Sequence, residues 1–151
     1  MVVIEKWQTR HEDDEMKISG ACQCGSITIE GEVDPENVRV CHCTDCQKNS
    51  GSAFRFNAPV PGDKFKISGE PAIYIKNTAE SGRPRAQAFC PKCGTPIYTT
   101  SVGEGWQASY MIRAGILDQR EQLKPKRQIW YRSAQSWVTG LDTVPRVEKQ
   151  S

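Results

Sequence analysis

Seven cysteines dominate the chemistry available to this chain, and they fall into three short groups. Cys22 and Cys24 form C-x-C-G. Cys41, Cys43 and Cys46 form C-x-C-x2-C. Cys90 and Cys93 form C-P-x-C-G. An odd number of cysteines, with no basic and apolar leader before them, argues against a disulfide framework. Free thiolates at such close spacing are metal ligands. The last group has the form of a zinc knuckle: two thiolates on a tight turn can share one ion, Pro91 helps set the turn, and Gly94 permits a positive φ where the chain reverses. The first group also ends in glycine and can supply a second pair.

A tetrahedral site joining Cys22, Cys24, Cys90 and Cys93 would tie the start of the domain to its later half, contributing on the order of 10 kcal/mol to folding. The middle group has three thiolates within six positions and no fourth cysteine left for it. Three protein ligands and one open position are the pattern of reactive zinc sites, and four that of structural ones. Three thiolates make the ion soft, so a substrate thiol suits the open position. Two zinc ions per chain are therefore expected, with Cys41, Cys43 and Cys46 holding the one with an open position. Spacing alone leaves other groupings open. His42 could close the second site, although as the residue between Cys41 and Cys43 on an extended segment it should point away from the ligand face. A site of Cys22, Cys24, Cys41 and Cys43 would leave Cys46 free. His11, the other histidine, sits in an acidic stretch and reads as a surface residue.

The elements that must hold these cysteines read as short strands. Ile27 and Ile29, Val38 and Val40, Phe54 and Phe56, Phe65 and Ile67, and Ile73 and Ile75 each alternate with polar residues and end near Gly, Pro, Asn or Asp. Ile97 to Thr99 and Trp106 to Ile116 are further strand-length stretches, and Asn77 to Pro84 reads as a polar loop. A helical turn or two is expected over Thr44 to Asn49, capped by Thr44 and ended by Gly51. The whole predicts an antiparallel all-β domain over residues 18–145, with an extension over 1–17 and a tail over 146–151. Val2, Val3, Ile4 and Trp7 could add a strand or dock on the domain.

Only 37% of residues are apolar, so metal is expected to supplement a modest core. A net charge of +2 against 20 basic and 18 acidic residues gives no strong pull toward nucleic acid or an anionic membrane. No apolar run is long enough to cross a bilayer. A cytoplasmic protein is expected. No Ser-His-Asp set and no phosphate loop is visible, so any catalysis should rest on the metal.

Three segments together resemble the family of glutathione-dependent formaldehyde-activating enzymes, which includes relatives of centromere protein V. They are Cys22 to Gly25; Cys41-His42-Cys43-Thr44-Asp45-Cys46-Gln47 followed by Ser50-Gly51-Ser52-Ala53-Phe54; and Phe89 to Thr95. Ile129-Trp130 and Trp137 extend the likeness, which spans roughly Ile18 to Leu141. The resemblance implies an Mss4-like β-tent, structural zinc on Cys22, Cys24, Cys90 and Cys93, and catalytic zinc on Cys41, Cys43 and Cys46. It implies carbon–sulfur lyase activity on a thiol–aldehyde adduct, with S-(hydroxymethyl)glutathione as the candidate and a small thiol such as glutathione as partner. A charged thiol would need cations, for which Arg55, Arg113, Arg127 and Arg132 are candidates, each otherwise read as a solvated surface residue. The alternatives are an enzyme of the same fold with a different thiol and a non-catalytic, zinc-stabilised interaction module.

Overall fold

Alternation along the strands sorts the side chains onto two faces of a sheet, and that sorting explains both the core and the site. The computed structural model describes residues 15–103 and 109–150. The expectations for Val2 to Trp7, for His11 and for Trp106 lie outside the described residues.

Ten strands are described: β1 (Met16–Ala21), β2 (Thr28–Val33), β3 (Arg39–Cys41), β4 (Arg55–Pro61), β5 (Phe65–Ser68), β6 (Ala72–Lys76), β7 (Arg85–Phe89), β8 (Pro96–Ser101), β9 (Ser109–Arg113) and β10 (Arg127–Ile129). One α-helix, α1 (Thr44–Ser50), and several 3-10 turns accompany them. β1, β2 and β5 form a small sheet in that order, and the other seven form a larger one in the order β10-β3-β4-β9-β8-β7-β6. The all-β expectation holds. The antiparallel pairing expected holds throughout apart from one pair, since β10 runs parallel to β3. Lys126 N–H donates to Val38 O and His42 N–H to Ile129 O, so the late segment is stitched along both ends of β3.

In the large sheet the register pairs Ala58 with Ile112, Val60 with Tyr110, Tyr98 with Ile112 and Ala88 with Tyr98. These residues share one face with Val40 and Phe56. That face meets Ile18, Ile29 and Val33 of the small sheet in one core, joined by Ile27, Val38, Ile97, Leu117 and Leu123. Phe65 stacks on Tyr110 at 4.4 Å between ring centres, and Tyr98 meets Tyr110 edge-on at 4.9 Å. The opposite face carries Cys41, Arg55, Asn57, Arg113, Thr99, Gln87 and Arg85, and α1 lies over it.

β7 (Arg-Ala-Gln-Ala-Phe) escapes a reading by pattern because Ala and Gln have weak strand preference, yet Ala86 and Ala88 are buried in the sheet interior. Small residues suit a position between two packed neighbours. β6, by contrast, is an edge strand, and it leaves Ile73, Tyr74 and Ile75 exposed.

At Gly20 the backbone of β1 approaches the segment that follows β9 very closely. Gly20 bridges to Leu117, and a Cβ there would lie 2.3 Å from the Ile116 carbonyl oxygen. Backbone cannot yield as a flexible side chain would. Gly20→Ala should therefore cost about 1–3 kcal/mol or more, while Gly115→Ala, which meets nothing within 4 Å, should leave the thermal midpoint almost unchanged. Equal midpoints for the two variants would contradict this packing.

Candidate metal centres

The first cluster is built from two similar turns. In Cys22-Gln23-Cys24-Gly25 the Gly25 N–H donates to Cys22 O at 3.0 Å, and in Cys90-Pro91-Lys92-Cys93-Gly94 the Gly94 N–H donates to Cys90 O at 2.8 Å. Gly25 and Gly94 take φ of 82° and 79°, the left-handed region where a side chain is strained. Gln23 N–H donates to the Thr95 hydroxyl at 3.1 Å and so links one turn to the other.

This geometry brings Cys22, Cys24, Cys90 and Cys93 together, with all four sulfurs within 4.8 Å of one another. Cys24 Sγ lies 3.6 Å from Cys22 Sγ and 3.7 Å from Cys90 Sγ. Tetrahedral bonds of about 2.3 Å place sulfurs about 3.8 Å apart, so the donor set fits zinc. Polar hydrogens surround the sulfurs: Ile27 N–H donates to Cys22 Sγ at 3.3 Å, and the Ser26 hydroxyl is 3.1 Å from Cys24 Sγ and 3.3 Å from Cys90 Sγ. The Thr95 hydroxyl and then its N–H hold Cys93 down at about 5. At Cys22 burial pushes upward, but the Ile27, Ser26 and neighbouring thiol contacts bring it to about 7.

The second cluster is assembled by the junction of β3 and α1. Cys41 ends the strand, Cys43 precedes the helix and Cys46 sits in its first turn, with the three sulfurs within 4.8 Å. The helix cap is Cys43, not Thr44: its sulfur accepts the Cys46 N–H at 3.3 Å. Sulfur replaces the usual oxygen here and orphan helix N–H groups favour negative charge at that end. Gly51 ends the helix as expected. Cys41 and Cys46 are buried, and Cys43 is partly open.

No fourth His, Cys, Asp or Glu joins this cluster among the described residues. His42 is fully buried on the other side, where its Nε2 lies 2.8 Å from Gln128 Oε1 and its ring meets Phe54 and Tyr131 edge-on. The alternative grouping of Cys22 and Cys24 with Cys41 and Cys43 is likewise excluded, since each pair belongs to a different cluster.

Cys43 opens into a cleft of about 470 Å³, which Lys76, Thr78, Arg85, Trp130 and Arg132 also line. Trp130 holds φ at 54°, an uncommon backbone state for a bulky residue, and the Arg132 guanidinium lies 5.2 Å from its ring centre. A larger groove of about 600 Å³ over β1 and β2 contains no sulfur and lies away from both clusters.

The arginine expectations need correction. Arg113 is only 7% exposed, not a solvated surface residue, because it is wedged between β9 and α1. Burial, then the neighbouring Arg55 charge, push its guanidinium well below the usual range, while the Cys46 and Cys41 sulfurs pull it back. Arg55 is partly buried beside it, Arg132 lines the cleft, and Arg127 lies exposed on β10. Sequence reasoning missed Arg85. Only the strand alternation of β7, invisible in its composition, places Arg85 on the site face.

With this geometry in view, comparison with known proteins is informative. Residues 17–133 match the family model described as glutathione-dependent formaldehyde-activating enzyme. The chain belongs to that family. No curated protein matches it. Among solved structures, a crystal structure of a Rhodobacter sphaeroides protein, a structural-genomics target, is similar with a TM-score of 0.56 at 20% identity, covering 73% of this chain and 98% of that one. At that identity the likeness concerns the fold. The formaldehyde-activating family match spans all seven cysteines as well as Arg55, Arg85 and Arg113.

Two experiments test the centres. A four-thiolate zinc site contributes on the order of 10 kcal/mol, so Cys93→Ser should release metal and unfold the domain. Cys43→Ser should lose only the second ion and keep its circular dichroism spectrum. Unfolding of both variants alike would make the second site structural. The second test concerns protons. Contact with the Cys46 thiol holds Cys41 down at about 5 against burial, with help from the Cys43 backbone N–H, while the Cys41 sulfur and burial raise Cys46. Near neutral pH the free cluster thus keeps a proton that an ion must displace. Affinity should rise with pH by about tenfold per unit for each proton released. Calorimetry in buffers of different ionisation enthalpy measures this, and uptake at pH 7 without proton release would contradict it.

Proposed function

We propose that this protein is a zinc-dependent carbon–sulfur lyase that forms or breaks the adduct of a small thiol and an aldehyde. S-(Hydroxymethyl)glutathione is the candidate adduct. The observation that carries the reading is the second cluster: three cysteines lack a fourth protein ligand among the described residues, and their least buried member lines a cleft. The family match supports the same reaction class.

A zinc ion held there would lower the pKa of an incoming thiol and hold it as an oriented nucleophile near neutral pH. In the forward direction the thiol sulfur attacks the aldehyde carbon, a C–S bond forms, the carbonyl π pair moves to oxygen, and the proton lost by the thiol ends on that oxygen. Reversal breaks the C–S bond and returns the proton to sulfur. The chain's own residues supply placement. Cys43 fixes one wall of the cleft, Trp130 supplies an apolar wall, and Arg85, Lys76 and Arg132 supply charge. Asp45 is no free base: the Thr78 hydroxyl and then Lys76 hold its carboxyl below the ordinary range. Activation of the thiol is therefore assigned to the metal. The four-cysteine cluster is assigned a structural zinc, and a reducing, cytoplasmic setting suits both centres.

One observation favours a second reading. Edge strand β6 exposes Ile73 (47%), Tyr74 (52%) and Ile75 (43%), a surface that a partner strand could cover. On this reading the domain is a zinc-stabilised interaction module.

Metal analysis separates the two. An enzyme should hold two zinc ions per chain, and cobalt placed in the second site should change its visible absorption when glutathione is added. Formaldehyde plus glutathione should then yield adduct faster with protein than without. A second site that stays empty in excess zinc, or that ignores thiols, would abandon the lyase in favour of the module.

A further inference from the structure

The site face of the large sheet concentrates positive charge and gives it no carboxylate. Register places Arg55 opposite Cys41, Arg113 opposite Asn57, and Arg85 opposite Ser101, all on one face. Arg113 Nη1 donates to Asn57 Oδ1 at 3.1 Å and Met111 O at 3.2 Å, and its Nη2 donates to Asn49 Oδ1 at 3.0 Å and to the Thr99 hydroxyl. Arg55 Nη1 donates to the same Thr99 hydroxyl at 3.3 Å, and Arg85 Nη1 to the Ser101 hydroxyl at 2.8 Å. Every one of these acceptors is neutral. Nε of Arg113 and Nε of Arg55 are buried with no partner at all. Among the described residues, no ion pair involves any of the three.

The other cations of the cleft differ. Lys76 meets Asp45 at 3.0 Å and Arg132 meets Glu80 at 3.8 Å. Arg85 is the cleft-lining cation left without a carboxylate among the described residues.

Charge counting sharpens this. Three cysteinates on a divalent ion carry one net negative charge, against three guanidiniums packed nearby. Partly buried like charges repel and must be met by anions. An incoming thiolate supplies one more negative charge, and the set is still one short. A carboxylate on the same ligand closes it.

We propose that Arg85, with Arg55 and Arg113 behind it, anchors a carboxylate of the substrate, so that the site selects thiols bearing an anionic group over neutral thiols of equal size. The inference rests on the reading of the second cluster as a thiol-accepting centre. Arg85 is a specificity residue: its planar fork suits a carboxylate, and the cleft places that fork within the same space as Cys43. Arg55 and Arg113 add positive potential from behind.

The test uses the full chain with zinc in the first centre and cobalt in the second. Its probes are 3-mercaptopropionate and the amide of the same acid, a neutral thiol of the same size. Binding is read from the change in visible absorption. The acid should bind about ten- to a hundredfold more tightly than the amide. Arg85→Gln should bring that ratio to near one by weakening the acid more than the amide, and Arg85→Lys should keep part of it. Equal affinities for acid and amide in the unaltered protein would overturn the proposal and leave the thiol-accepting centre intact. A ratio that survives Arg85→Gln would overturn the role of Arg85. Should Arg85→Gln fail to fold, the acid–amide ratio in the unaltered protein and in Arg85→Lys still decides. If neither thiol changes the spectrum, the thiol-accepting reading fails and this inference with it.

Discussion

Four sulfurs gathered within 4.8 Å of one another hold together segments that are far apart in the chain; Cys24 and Cys90 meet across 66 positions. Closing that loop costs chain entropy, which metal ligation at the cluster would help to offset. Two turns of the same design meet here, one ahead of β2 and the other ahead of β8. Their meeting brings the end of the small sheet against the β7–β8 hairpin of the large one. The shared core of Ile18, Ile29 and Val33 against the large sheet, and the aromatic contacts of Phe65, Tyr98 and Tyr110, join the sheets further along. The first centre thus sets the frame on which the second is mounted.

That frame divides chemistry between the two faces of one sheet. Along β4, β8 and β9 alternate residues go to opposite sides. Ala58, Val60, Tyr98, Tyr110 and Ile112 enter the core, while Asn57, Thr99 and Arg113 face α1. The three-cysteine cluster lies on the polar face because Cys41 does. A one-residue slip in β3 would carry Cys41 into the core side and dissolve the cluster. β10 guards that register: Lys126 and His42 bond across the two ends of the pairing, and Gln128 holds the His42 ring. His42 therefore acts on the site through position, as the pin between the metal loop and the late segment. Gln47 adds a second tie by donating to His42 O at 2.7 Å and Ser133 O at 3.0 Å.

The polar face is also where stability is given up. Buried guanidiniums without carboxylates destabilise an isolated domain. They are tolerable when sulfurs and metal supply part of the opposing charge and when a ligand supplies the rest. A site of this type is preorganised for an anion, because the groups that would meet it already stand in place on rigid strands.

The cysteine spacing suggested the two groups, of four and of three, that the fold brings together, although spacing alone left other groupings open. Knuckle turns are local objects: a C-x-C-G or C-P-x-C-G segment carries its own hydrogen bonds and its own left-handed glycine, whatever surrounds it. The same holds for β-branched alternation in β2, β5 and β6 and for the helix that Gly51 ends. Other features were decided only by tertiary structure. β7 was hidden because Ala86 and Ala88 become strand residues through sheet pairing, not through intrinsic preference. The parallel pairing of β10 depends on partners almost ninety positions away, as Ile129 opposite Cys41 shows. Thr44 was the natural oxygen cap, yet the metal loop places Cys43 there, since that sulfur must reach the other two. The arginines were the least legible residues of all. A guanidinium looks the same in a sequence whether it waves in water or lies wedged under a helix. Only the register of four strands, which is a non-local property of hydrogen-bond pairing, brings Arg55, Arg85 and Arg113 to one face beside the sulfurs.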